Sequence, residues 1–190
     1  DWEMHEEVAT LFGIGATRSK EDRQSQPGTE DINNSQIRLS DGTRIFQPGA
    51  FATEGRITEA TYQMVAMDAG MKLRGFSLMG EYYWRWVDDL KVEGDIPVKD
   101  LFDHGLQVQT SYMFVPRYLQ GYLAASQIFG EYGDPWDTSI GVNWYPFRER
   151  LLRVNGELLY MKDSPIGYSS IPYQVGGDGV VFHANLEMKF

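Results

Sequence analysis

The sequence predicts an all-β fold, an antiparallel up-and-down transmembrane β-barrel of about eight strands, and three observations carry that reading. Stretch after stretch of the 190-residue chain alternates apolar with other residues at period 2, the signature of strands with two different faces. The chain holds 20 glycines and 26 aromatic residues (5 Trp, 11 Tyr, 10 Phe), a composition that suits strands ending at a membrane interface. Its connections alternate between short turns and longer polar segments. No run approaches the ~18 consecutive apolar residues of a membrane helix, and the mean hydropathy is -0.39. Lipid-spanning strands average to such a value because every second residue is polar.

The elements follow in order. A first strand is expected at about 5–17, with Val8, Phe12, Ile14 and Ala16 on one side. The stretch 61–74 places Val65, Met67, Ala69, Met71 and Leu73 on one face and Asp68 and Lys72 on the other. After a tight turn at Arg74 and Gly75, residues 76–87 set Phe76, Leu78, Tyr82, Trp84 and Trp86 against Ser77, Glu81, Tyr83 and Arg85. Strands at 105–115, 136–145 and 151–161 point Leu106, Val108, Tyr112, Phe114, Trp136, Ile140, Val142, Trp144, Leu152, Val154, Leu158 and Tyr160 outward. Pro116 and Pro146 mark short links. The stretch 118–128 completes the connectivity, but both of its faces mix apolar and polar residues, so its facing stays open. In the last strand Val180, Phe182, Ala184, Leu186, Met188 and Phe190 alternate with Val181, His183, Asn185, Glu187 and Lys189.

The links at 75, 116–117 and 146–150 are short, whereas 18–60, 88–104, 129–135 and 162–178 are longer and mostly polar. Outer-membrane barrels have this asymmetry, with short periplasmic turns and long external loops. The bookkeeping closes if 18–60 is one external loop containing a small hairpin at 36–46 that turns at Asp41 and Gly42. Phe76, Phe114, Trp144 and Phe190 then fall at the periplasmic ends, and Trp84, Trp86, Trp136, Tyr160 and Phe182 at the external ends. Two belts of that kind are expected at the two faces of a bilayer. A soluble lipocalin-like barrel or sandwich would also alternate, but it would bury its aromatics mid-strand.

Composition narrows the function classes. With 17 Lys and Arg against 27 Asp and Glu, the net charge of -10 leaves no basic patch for a phosphate backbone, so nucleic acid is not an expected partner. No cysteine is present, so there are no disulfides, thiolate metal sites or cysteine nucleophiles. The three histidines show no metal-ligand spacing: His5 lies near the first strand, His104 in a loop beside Asp103, and His183 on the inner face of the last strand. Ser111 or Ser139 with His183 forms no recognisable nucleophile motif, and the Gly-rich stretch 175–179 precedes no helix. Neither an enzyme, a metal nor a cofactor is expected.

Against this background the segments AMDAGMKLRGFSLMGEYYWRWVDDL, LFDHGLQVQ, GEYGDPWD and GGDGVVFHANLEMKF, with QIRLSDGTRIF in the long loop, resemble the C-terminal half of bacterial porins of the phosphate-selective porin O and P family. The resemblance covers most of the chain. It implies a large barrel of 16 to 18 strands in the outer membrane of a Gram-negative-type bacterium, trimeric when full length, through which small hydrophilic solutes or ions diffuse. It also implies that residues 1–190 are one barrel segment, that a signal peptide and about as many strands again precede it, and that outer-membrane lipid, lipopolysaccharide and the outer-membrane assembly machinery are its partners. Phe190, an aromatic closing an alternating strand, resembles an assembly signal for that machinery. The phosphate-selective relatives use ladders of Lys and Arg, and no such ladder occurs here.

Lys72, Glu81, Arg85, Arg153, Glu157 and Lys189 are the expected pore-lining charges, because they occupy the inner parity of their strands. Such charges set ion preference when one sign dominates. The pairs Asp68 with Lys72, Glu81 with Arg85 and Arg153 with Glu157, each four residues apart, are expected to neutralise one another instead. The 88–104 loop, with Asp88, Asp89, Glu93, Asp95, Asp100 and Asp103, reads as an acidic mouth. Arg38 and Arg44, flanking the turn of the 36–46 hairpin, are the expected constriction-loop residues. Two other roles fit the same pattern: a small closed outer-membrane barrel acting as an anchor, and a soluble lipocalin-like binding barrel.

Overall fold

The computed structural model describes residues 1–24, 33–34, 37–167 and 174–189. These residues form one antiparallel sheet, with strands β1 (Ala9–Asp22), β2 (Arg56–Leu73), β3 (Phe76–Glu93), β4 (Leu101–Val115), β5 (Leu119–Gly130), β6 (Trp136–Trp144), β7 (Leu152–Lys162) and β8 (Gly179–Met188). Each strand pairs with the next in the chain, and no helix occurs among the described residues. The sheet is not closed on itself: β1 and β8 each have a single neighbour.

The register explains why the alternation works. Val65 lies opposite Trp84, Ile140 opposite Leu158, and Leu158 opposite Phe182, so one face is a continuous array of apolar cross-strand pairs. That face is open. Phe12, Ile14, Phe114, Val180, Phe182 and Leu186 are 62–70% exposed, whereas the buried residues lie on or against the opposite, polar face. The facing of β5, undecided in the sequence, follows from its neighbours. Leu123 sits between Thr110 and Ile140 on the apolar face, and Gln120 lies opposite Asn143 on the polar one.

Several boundaries move. The first strand starts at Ala9 rather than 5, because the chain before it fastens the β2–β3 turn. Arg74 N donates to the His5 carbonyl at 2.7 Å, while the Asp1 carboxylate accepts from Gly75 N and His5 N at 3.1 and 3.0 Å. Arg74 and Gly75 both have positive φ, 46° and 87°, as a two-residue hairpin turn of the right twist requires. At the other end of the strands, β1, β2, β3 and β4 extend beyond the alternating region. The expected 18–60 loop therefore shortens to a connection at 23–55.

The expected 88–104 loop contracts to 94–100, which corrects the acidic-mouth reading. Asp88, Asp89 and Glu93 lie on β3, and Asp103 and His104 lie on β4. The alternation breaks at Asp88 because the register shifts there: β2 carries an extra residue between Ile57 and Glu59, β3 carries one between Asp88 and Lys91, and Asp89 has a φ of 49°. Ion pairs Arg56–Glu93 and Lys91–Glu59 continue the ladder where apolar pairs stop.

Long-range contacts bring separate parts of the sheet around its polar face. A Cβ on Gly42 would collide with the Pro165 carbonyl, so the 37–46 segment, docked on β2, β3 and β4, also reaches the β7–β8 connection. At the short-turn end Trp2 packs edge-on against Tyr145 at 4.6 Å, while Glu3 reaches Arg150 at 3.3 Å and Arg117 at 4.0 Å. The polar face is therefore the concave one.

Candidate functional site: the polar face and its docked hairpin

The hairpin expected within the long loop is present. Arg38 and Arg44 bridge as antiparallel partners, and Leu39 N donates to the Thr43 carbonyl at 2.8 Å. Asp41 fixes the tip, its carboxylate accepting from Thr43 N at 2.8 Å and from Thr43 Oγ1 at 3.1 Å. Gln36, at the edge of the expected hairpin, lies outside the described residues. Ile37, Leu39, Ile45 and Phe46 are buried with Ile57, Ala60, Val87 and Leu101, making this the main apolar core on the polar side. Four large side chains taken from water contribute on the order of 1.5–3 kcal/mol each. That core docks the hairpin onto the concave wall.

Polar contacts fix its position. Arg85 donates from Nη2 to the Asp103 carboxylate on the adjacent strand and, at 2.7 Å, to the carbonyl of Arg38. The side chains are 19% and 8% exposed, so this ion pair lies largely under the hairpin. Arg85 Nε and Asp103 Oδ1 have no partner among the described residues. Tyr132 N donates to Ser40 Oγ at 3.2 Å, and the Tyr132 ring meets Phe51 edge-on at 5.9 Å. Burial, with Glu131 and Asp41 nearby, holds the Tyr132 phenol above its ordinary pKa. Between the hairpin and the β7–β8 connection lies an open cavity of about 510 Å³, lined by Arg38, Gly42, Thr43, Arg44, Gln47, Gly167 and Val175. Both arginines expected in the hairpin thus line one cavity.

The strand-borne charges do occupy the concave face, but their pairing differs from the expectation. Residues four apart on one strand are separated by about 13 Å, so they cannot form direct pairs. Pairing runs across strands instead. Arg85 takes Asp103 rather than Glu81, Arg153 takes Glu187 at 2.9 Å rather than Glu157, and Glu157 faces His183 at 3.8 Å. Lys189, just beyond β8, reaches Glu187 at 3.8 Å. Glu81 lies opposite Asp68 and Gln107, and Lys72 opposite Ala9 and Ser77. Glu81, Asp68 and Lys72 form no ion pair among the described residues. Phe190 lies outside the described residues.

A second feature went unread in the sequence. Toward the short turns, neutral polar side chains join in a row across β3 to β7. Ser77 and Ser111 hydroxyls meet at 2.6 Å, Gln120 Nε2 donates to Ser111 Oγ at 3.0 Å, Asn143 Nδ2 donates to Gln120 Oε1 at 3.0 Å, and Asn155 Nδ2 donates to Asn143 Oδ1 at 3.0 Å. Asn185 of β8 lies opposite Asn155 in the next place. The available signal was an amide at the inner parity of 136–145, 151–161 and 180–190, but with the facing of β5 open, Gln120 could not be joined to the others.

On the apolar face His104 stacks against Phe129 at 5.0 Å and Tyr82 at 5.7 Å, with the Tyr82 hydroxyl 2.5 Å from Nδ1. It belongs to an aromatic cluster rather than a loop. Trp86 and Phe102 meet near the same end at 5.5 Å, as do Trp136 and Tyr160 at 5.3 Å. At the short-turn end Tyr112 meets Phe114 at 5.5 Å and Trp144 meets Tyr118 at 6.4 Å. No group of metal-ligating side chains is found among the described residues. Comparison of the chain with family models, with curated proteins and with solved structures finds no match.

Proposed function

We propose that this sheet is part of the wall of an outer-membrane porin, a water-filled diffusion channel for small hydrophilic solutes or ions, related to the phosphate-selective porin O and P family. The observation that carries the reading is the inversion of the two faces. Large apolar side chains are exposed on the convex face between two aromatic clusters, and the concave face carries ion pairs, amides and a docked hairpin. A bilayer covers the first face and water fills the space beside the second. Barrels with an aqueous channel have 16 to 18 strands, so the reading places further strands beside the free edges of β1 and β8, and the full-length protein as a homotrimer. Steady conductance steps from the purified full-length protein in a planar bilayer are the expected result. A protein that remains monodisperse without detergent and never conducts would sink the proposal.

Within that channel the hairpin is the constriction, with Arg38 and Arg44 at the cavity beneath its tip. Replacing both by glutamine in the full-length protein is expected to shift the reversal potential toward cation preference under a salt gradient, because a fixed positive charge concentrates anions. An unchanged reversal potential, with unchanged conductance after deletion of residues 37–46, would leave the passage to Arg153, Lys72 and Lys189.

Phe190 is proposed as the signal read by the assembly machinery. Its deletion is expected to slow insertion in cells several-fold more than refolding in detergent, whereas equal effects on both would make it one more interfacial aromatic.

A further inference from the structure

Gln120, Asn143 and Asn155 occupy three adjacent strands in register, and their hydrogen bonds run in one direction along the row. A primary amide has two N–H donors and a carbonyl with two lone pairs. Asn143 spends one N–H on Gln120 and one lone pair on Asn155, and Gln120 spends one N–H on Ser111 and one lone pair on Asn143. Asn155 shares its two N–H donors among Asn143 Oδ1, the Tyr122 hydroxyl and the Val142 carbonyl, so what the half-buried pair keeps open to the concave space is one N–H and one lone pair of Gln120 and the carbonyl oxygen of Asn155. Beside them Tyr122, whose hydroxyl accepts from Asn155 Nδ2 at 3.0 Å, lies across Gly141 of the next strand. A Cβ at Gly141 would collide with the Tyr122 ring, so only glycine allows the ring to lie against the wall. The amides themselves carry no charge and Arg153 is engaged with Glu187, while Glu157, opposite Gly141, faces His183 and also lies against the Tyr122 hydroxyl, where it adds a hydrogen-bond acceptor beside the ring.

From this we infer that the amide row with Tyr122 is a binding track for a neutral, polyhydroxylated solute of the sugar class. A hydroxyl that leaves water here exchanges one hydrogen bond for another at little net cost. An ion would give up hydration that neutral amides replace poorly. The phenol supplies an apolar surface for the C–H face of a sugar ring, and the amides on either side supply donors and acceptors for its hydroxyls. The inference rests on the channel reading and assigns it a solute class that the hairpin arginines do not.

The test uses full-length protein in liposomes and planar bilayers, with sucrose as probe and a polyethylene glycol of matched hydrodynamic radius as control. Sucrose is expected to enter faster than the polymer and to reduce potassium chloride current in a saturable way. Asn155→Ala and Gln120→Ala are each expected to weaken that block about fivefold, the effect of losing one ordinary hydrogen bond, with potassium chloride conductance unchanged. Tyr122→Leu, which keeps an apolar side chain over Gly141 but removes the ring and hydroxyl, is expected to weaken it as well. Equal entry of sucrose and polymer, or the same sucrose block in all three variants at native conductance, would overturn the inference while leaving the channel intact. Absence of any conductance from the parent protein would instead overturn the channel reading and the inference with it.

Discussion

Asp103→Ala is expected to destabilise the protein by about 3–5 kcal/mol, because it strands the Arg85 guanidinium beneath the hairpin without its counter-charge. Asp103 is the more deeply buried partner, and the same Arg85 Nη2 that it accepts from also holds the Arg38 carbonyl. Losing the carboxylate therefore favours a rearrangement in which Arg85 turns to water and the hairpin loosens from Val87 and Leu101. Two measurements follow: the urea midpoint in detergent micelles, and the rate of trypsin cleavage after Arg38 and Arg44. Both should change, and the cleavage should rise first at urea concentrations where the rest of the sheet is intact. Replacing both partners by apolar residues of similar volume, Arg85→Met with Asp103→Leu, should recover most of the loss, since no unpaired charge then remains. A single Asp103→Ala variant with parental midpoint and parental cleavage would show that the hairpin is held by its apolar core alone.

All eight strands were legible in the sequence, and the reasons differ along the chain. Where the apolar face is continuous, as in β6 with Trp136, Thr138, Ile140, Val142 and Trp144, period 2 gives existence, facing and bounds to within a residue or two. Where strands run past that region, the pattern stops carrying information although hydrogen-bonded pairing continues. Asp88, Asp89 and Glu93 look like loop residues because a half-buried surface no longer constrains them, yet Arg56 and Lys91 keep the ladder in place. In β5 the apolar face is interrupted by Gly121, where a Cβ would lie 2.6 Å from the Phe114 ring, and by Gln127. A ring from the neighbouring strand covers the glycine, so the residue that completes the face is not in the strand whose facing had to be decided.

The charges of the candidate site were legible as an inventory and not as an arrangement. Lys72, Glu81, Arg85, Arg153 and Glu157 reach the concave face because parity alone places them there. Their partners depend on which residue lies across the strand, and that requires the register of two strands at once. Without that register the sequence pattern leaves Asp103 in a loop, and its pairing with Arg85 is not legible.

Val142→Arg is expected to cost about 1–2 kcal/mol in a bilayer, less than the ~2–4 kcal/mol of a charged side chain at the midplane of a lipid-facing surface because Val142 lies one same-face residue inside Trp144. Val142 is 45% exposed on the convex face, opposite Gly121 and Gly156, between Trp136 and Trp144 on the same strand. Exposure is what separates the two environments. On a water-facing surface the same substitution at a half-exposed valine would change stability by no more than about 0.5 kcal/mol, because the guanidinium stays hydrated. Unfolding in lipid vesicles and in detergent-free buffer therefore gives opposite expectations, as does the paired variant Asn185→Arg, which puts the same charge on the concave face of β8. In vesicles Val142→Arg should lower the midpoint and reduce the inserted fraction, while Asn185→Arg should fold and insert as the parent does. If the two variants behaved alike, the convex face would not meet lipid, and the channel reading would lose the observation on which it stands.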